Sequence, residues 1–391
     1  MALTRAAIAA LVALSACERL PEGPGALRWE RELDVQGLGR ASDGDLFVTT
    51  SDGTLSRLDP DGEARWAISS DYRGDVAVSP GDEVAVVSAR FDVADPVVTL
   101  LLLDGRDGSP IVSHVVESVD PFRRNLHGFA ALEELIAVVG ADTHEDPDTG
   151  EVFADSTSFV EVYDRDGAVV KRLEFAWSPE HRIARDPRGG FVVFGFGAGG
   201  DTDLGLGPLA PGEDEVTFLA RFDDGGELMS QHLVPELVNG DVCIGNDGAI
   251  YFTGAAHPGD PYGVLTRADE TGAIEWQIGI HGEEMANAST YAVGVDGSVV
   301  YAGGRVDGTP GFGRLPDPVE SGTDQLPPDQ ESFLLSVDAA TGAVRWQRGL
   351  TNIVDPPLVV DAARGFYLLE GRLREFDDGA GYVPVLAARG D

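Results

Sequence analysis

Short apolar or alternating runs recur along the chain, each closed by a turn rich in Asp and Gly. "TLSRLDPDGEARWAI" (Thr54–Ile68), "VLTRADETGAIEWQIGI" (Val264–Ile280) and "FLLSVDAATGAVRWQRGL" (Phe333–Leu350) are the clearest. Two strand-like runs about an Asx or Gly turn predict a β-hairpin. The same pattern stands at Leu100–Val116, Phe159–Phe175 and Phe218–Val234, and more weakly at Leu373–Ala387. A further pair of runs precedes each hairpin. Its second members are Asp45–Thr50, Glu83–Ala89, Glu134–Ala141, Gly190–Gly197, Ala249–Ala255, Ser298–Gly304 and Gly365–Gly371. No convincing amphipathic helical period appears after the first residues. The repeated unit is therefore four strands, and it occurs seven times.

One such sheet cannot bury both of its faces, whereas sheets stacked radially bury each face on a neighbour. The expected fold is an all-β, seven-bladed β-propeller of four-stranded antiparallel blades, with eight blades as the alternative. Residues 26–391 form one domain in this reading. Gly25–Trp29 and Tyr382–Ala388 both suit the outermost place of the last blade. Trp66, Trp276 and Trp346 each fall four residues after a turn glycine, and are expected to pack between blades. His114 and His232 fall on outer strands and read as surface residues.

The segments Ala292–Leu350 and Phe191–Leu233 resemble the SBBP class of β-propeller repeats of exported bacterial proteins. They share a Gly-rich second strand, a loop with Gly and Pro, and a third strand beginning Phe-Leu. The turn "TGAVRW" resembles PQQ-like propeller repeats. The resemblance covers most of residues 37–388 and implies a fold. It implies little about activity, because such repeats mark blades and not sites.

The first residues add a location. One cation, Arg5, precedes the apolar run Ala6–Leu14, and "LSAC" ends at Cys17. The run is too short to span a bilayer and has the form of an export signal. "LSAC" resembles the lipobox of bacterial lipoproteins. That resemblance implies a signal peptide at residues 1–16, a lipid on Cys17 and a tether over 17–25. The expected location is the bacterial cell envelope, on a membrane through the lipid.

Charge removes one class of partner. The chain of 391 residues carries 67 carboxylates against 28 Lys and Arg, a net −39. Phosphate backbones are repelled, so nucleic acid is excluded. A monomer is expected.

Function is expected on the face with long second-to-third-strand loops, Gly140–Ser158, Ala198–Val216 and Arg305–Glu331. Around the axial mouth on that face, Arg123, Arg124, His127, His181 and Arg182 form a candidate cationic ligand site. Pairing with nearby carboxylates is the plainer role for them. The loop after Glu134–Ala141 holds Asp142, Asp146, Asp148 and Glu151, oxygen donors of the kind calcium takes. The EF-hand order is not met, and a solvated loop explains the same residues. No cofactor is predicted beyond possible calcium. The chain has no nucleophile elbow, zinc-protease motif or P-loop. The leading reading is a non-catalytic binding or scaffold protein that takes an envelope protein or glycan. A propeller lyase, hydrolase or quinoprotein-like oxidoreductase is the alternative. A scaffold resembling the propeller lipoprotein of outer-membrane assembly is a third.

Overall fold

The computed structural model describes residues 27–69, 72–90, 97–115, 124–142, 157–176, 180–198, 202–210, 216–234, 237–238, 240–256, 262–281, 288–306, 311–314, 332–350, 358–361, 365–376 and 379–389. Cys17 and the export segment lie outside them.

The first strand, β1 (Leu27–Glu32), stands apart from its neighbours in sequence. β2 (Val35–Arg40), β3 (Leu46–Thr50), β4 (Thr54–Leu58) and β5 (Ala64–Ser69) then pair in order as one blade. β6 (Tyr72–Val78), β7 (Glu83–Arg90), β8 (Val97–Asp104) and β9 (Pro110–Val115) make the next. β10 (Arg124–Ala131), β11 (Leu135–Asp142), β12 (Thr157–Asp164) and β13 (Val169–Ala176) repeat it. So do β14 (Glu180–Arg185), β15 (Phe191–Ala198), β16 (Val216–Phe222) and β17 (Leu228–Val234).

The following sheet breaks the pattern. Its inner edge is split into β18 (Leu237–Val238) and β19 (Val242–Ile244), both paired with β20 (Ile250–Ala256). β21 (Tyr262–Ala268) and β22 (Ile274–His281) follow. Two ordinary four-stranded blades complete the chain. One holds β23 (Ala288–Asp296), β24 (Val299–Val306), β26 (Ser332–Asp338) and β27 (Val344–Leu350). The insert between β24 and β26 contributes β25 (Gly311–Arg314), which pairs backwards with β22. The last blade orders β28 (Val359–Asp361), β29 (Gly365–Phe376), β30 (Gly379–Arg389) and then β1.

The expectation of seven four-stranded blades, with eight as its alternative, is therefore corrected. Six sheets are four-stranded blades, and the sheet of β18–β22 and β25 has six strands. The split falls at Gly240 and Asp241, opposite Thr253. The backbone at Gly240 comes so close to Thr253 that an added Cβ would lie 2.0 Å from its carbonyl oxygen. The Asp241 N–H then donates to Thr253 Oγ1 at 3.2 Å. The Thr253 N–H still donates to the Asp241 carbonyl at 3.0 Å, so the edge is bulged at this point.

The outermost place left open between two runs goes to the N-terminal one. β1 pairs with β30 through Trp29↔Ala388, Arg31↔Leu386 and Glu32↔Val385. Tyr382–Ala388 lies in β30, so Leu373–Ala387 belongs to the second and third strands of its blade, not the third and fourth.

Burial follows position in the blade. β11, β12 and β26 are buried along nearly their whole length, whereas β5 and β9 alternate. Middle strands meet a neighbouring sheet on each face, while outer strands meet water on one side. The junctions between blades use the turn glycines. Gly62, Gly108 and Gly342 have φ of +82°, +72° and +72°, which only glycine adopts without strain. An added Cβ there would lie 3.0 Å from Trp29, 2.3 Å from Ile68 and 2.9 Å from Trp276. The indole N–H groups finish the joint. Trp29 donates to Pro60 O at 2.8 Å, Trp66 to Gly105 O at 3.1 Å and Trp276 to Ala339 O at 3.2 Å. His114 and His232 take the equivalent place under Gly167 and Gly272, so they are joint residues and not simply surface ones.

Candidate functional site

The inner strands β2, β6, β10, β14, β19, β23 and β28 touch in turn around an axis, and β28 returns to β2. Each enters from the long-loop face. Near their entry four of their ladders slip: between Val35 and Gly37, Arg73 and Val76, Leu126 and Gly128, and Thr290 and Ala292. The break between β18 and β19 falls in the corresponding place. A bulge leaves a residue unpaired and re-aims its side chain. Gln36, Gly74 with Asp75, and Tyr291 are the residues released at three of the slips, the backbone of residue 127 falls at the fourth, and Asp241 stands in the break.

Three charged groups meet here. Asp75 reaches solvent, yet enclosure by protein raises its carboxyl above the usual range, with the Arg182 charge opposing. Its neighbour is Gly128 of β10, where an added Cβ would lie 3.8 Å from Asp75 Oδ2 and 3.0 Å from Ile183. Asp241 is pushed up to about 6, chiefly by burial. It accepts hydrogen bonds from the Val293 N–H at 3.1 Å and the Val242 N–H at 2.8 Å. Those bonds and the Arg182 charge hold the rise back, and the Asp75 charge adds to it. Arg182 is thus the shared counter-charge of two carboxylates from different sheets. Two residues on, burial raises the Cys243 thiol well above its ordinary value, with the Asp241 charge adding. A thiol held protonated in this way is a poor nucleophile. Its side chain packs against the core of Tyr251 and Trp276.

The candidate residues separate at this point. Arg182 joins the axial group. His127 occupies the β10 bulge, and Arg124 opens β10 opposite Asp142. His181 is fully buried, with its ring edge-on to Phe175 at 5.3 Å, inside the packing between blades. Arg123 lies outside the described residues, as do Asp146, Asp148 and Glu151. Asp142 is described, and its carboxylate meets Arg172 at 3.0 Å. Among the described residues no three His, Cys, Asp or Glu gather as a metal site would require. Asp75 and Asp241 escaped the sequence reading. Their signal was a shared tripeptide, Gly74-Asp75-Val76 and Gly240-Asp241-Val242, at the entry of two inner strands.

The long inserts do not simply crowd the mouth. The one holding residues 202–210 sends Leu204 into the core shared by β11, β12, β15 and β16. Its Gly207 carbonyl accepts from Gln231 Nε2 of β17 at 2.6 Å. The next long insert sends β25 to the rim. The inserts therefore reach from the face to the outer strands.

Comparison with known proteins agrees with this architecture. A family model described as "Outer membrane protein assembly factor BamB", of the PQQ_2 kind, matches residues 20–171. A search of curated proteins gave no match. Among solved structures, the Dos1 propeller superposes with a TM-score of 0.51 at 11% identity, covering 91% of this chain and 78% of that one. BamB from Moraxella catarrhalis gives a TM-score of 0.41 at 15% identity, covering 90% and 85%. The quinohemoprotein alcohol dehydrogenase ADHIIG from Pseudomonas putida HK5 gives 0.48 at 13%, covering 94% and 76%. The Dos1 likeness is one of fold alone. The chain is a β-propeller, and its residues 20–171 match a model of PQQ-like repeats.

Proposed function

We propose that this chain is a lipid-anchored β-propeller of the bacterial cell envelope that acts as a non-catalytic binding or scaffold protein. The observation that carries the reading is the match of residues 20–171 to a model described for an outer-membrane assembly factor. It begins three residues after the cysteine of "LSAC". Lipid on Cys17 would hold the propeller at a membrane surface, where a rigid scaffold with long inserts suits a protein or glycan partner.

The test is labelling with palmitate in a bacterial host, followed by partner capture from solubilised membranes. Wild type is expected to take the label and to fractionate with membranes, and Cys17→Ala to lose both. A specific envelope partner is expected to be lost when the inserts at 143–156, 199–215 and 307–331 are shortened in turn. A wild-type chain that stays unlabelled and soluble sinks the anchor, and captures unchanged by every insert deletion sink the scaffold role.

A second reading has one observation in its favour. A carboxyl at about 6 beside another carboxylate and an arginine, among the inner strands, has the makings of a small-molecule or acid–base site. Asp241→Asn would then abolish binding of a small envelope metabolite while leaving partner capture intact.

A further inference from the structure

We propose that the outer edge of β22 is a strand-acceptor site, held shut by the chain's own β25, that takes an extended segment of a partner protein. β25 pairs with it antiparallel through Ile278↔Arg314, Gly279↔Gly313, Ile280↔Phe312 and His281↔Gly311. An edge strand presents unpaired N–H and C=O groups and recruits other strands unless it is blunted or covered. Here Ile278 and Ile280 are buried against the core, and Gly279 between them adds no side chain. This is an adhesive edge, and it is the one that the chain covers.

Two observations mark the cover as an occupant and not as part of the blade. First, β5, β9, β13, β17 and β27 end their sheets with no further strand among the described residues. A blade is therefore complete without one. Second, β25 is only four residues long, and two of them, Gly311 and Gly313, carry the largest entropy cost of ordering. It comes from an insert of the following blade, where the first blade connects its second and third strands with Ser51–Gly53 alone. Such a strand competes mainly because it is tethered, and tethering acts as a local concentration.

The resident strand states the chemistry of the partner. It runs antiparallel in the register above, with the pattern Gly-Phe-Gly-Arg: small, aromatic, small, basic. A cation at the end of that segment also suits a chain of net charge −39. The kind of partner that fits is an extended segment alternating small and apolar residues and ending in Arg or Lys. Its backbone would add to the sheet by strand augmentation.

The experiment uses a fluorescent peptide of the sequence Gly308–Pro316, GTPGFGRLP, as the probe. It compares the full chain with a strapless variant whose residues 307–331 are replaced by Ser-Asp-Gly, the connection used by the first blade. The strapless variant is expected to bind the peptide, and the full chain to bind it at least about tenfold more weakly. Hydrogen exchange at Ile278–His281 supplies a readout tied to register. Amides that face β25 are expected to be protected in the full chain, to exchange in the strapless variant and to regain protection with peptide. A peptide with Phe312→Asp is expected to bind neither protein. If the strapless variant keeps its β spectrum and cooperative melting but neither binds peptide nor regains protection, the acceptor site is wrong. Equal affinity of both proteins would show that β25 is no competitor and would overturn the shut state. Self-association of the strapless variant that the peptide does not reverse would assign the edge to a second copy instead.

Discussion

Asp241 carries a sign that can be worked out. Its folded-state carboxyl sits at about 6 against an ordinary 3.8. The folded chain therefore binds the proton more tightly than the unfolded chain between those values. Stability from this group is fully present below 3.8, falls as pH rises toward 6 and is lost above it. The difference is on the order of 3 kcal/mol at most. Asp241→Asn keeps an acceptor for the Val293 N–H and cannot ionise. Its urea stability is expected to be flatter than wild type from pH 4 to 6 and higher at pH 7. A wild-type profile that rises over that window would refute the assignment. Elsewhere, Arg57 donates from Nε to the buried Asp45 at 2.7 Å and from Nη2 to the half-exposed Asp43 at 2.6 Å. Arg65 also pairs with Asp45. Asp45→Ala removes the buried carboxylate partner of Arg57, leaving it the half-exposed Asp43 and the Gly105 carbonyl, and is expected to cost about 3 kcal/mol, whereas Asp43→Ala costs under about 1 kcal/mol. Denaturant midpoints of the two variants make the comparison. The axial group was only partly legible in the sequence. Arg182 stood out as a cation in a crossover. Asp75 and Asp241 lie far apart in the chain, and the succession of inner strands around the axis brings them under one guanidinium.

Among elements, the hairpins were the most legible and the departures from them the least. Asp-Gly turns between alternating runs specify register through backbone conformation, which local sequence controls. The split of β18 from β19 is one more slip of an inner ladder, opposite Thr253, and the pairing of β25 depends on where an insert lands. Neither leaves a periodic trace. The turn glycine shows how closely an element depends on its joint. Gly342 needs positive φ and has no room for a Cβ beside Trp276. Gly342→Ala is expected to cost at least about 1–2 kcal/mol from the backbone alone, read as a lower unfolding midpoint. Gly297 also has positive φ, but nothing lies within 4 Å of an added Cβ. Gly297→Ala therefore carries only the backbone part, and the difference between the two variants measures the crowding at the tryptophan joint.

The whole molecule is a ring closed by one strand and carrying a large excess of one charge. β1 is the only described strand whose partner comes from the other end of the chain. The charge that strains the ring is spread over its surface, −39 in all. Repulsion among exposed carboxylates opposes compaction and is screened by salt. The charges that join elements are of another kind, buried pairs such as Asp45–Arg57 and Asp186–Arg221, which salt reaches poorly. Added salt should therefore remove more repulsion than attraction. The melting temperature is expected to rise steeply from about 0.01 M to 0.15 M NaCl, as the screening length falls from about 30 Å to about 8 Å. It should flatten beyond that range. Removing residues 27–32 leaves β30 without its outer partner and opens the ring where closure links the two ends. The truncated chain should melt lower at every salt concentration and keep the same upward slope, because the repulsive surface is nearly unchanged. Calorimetry over that series separates the two contributions. A melting temperature that falls with salt would mean that exposed ion pairs, not repulsion, dominate the surface of this ring.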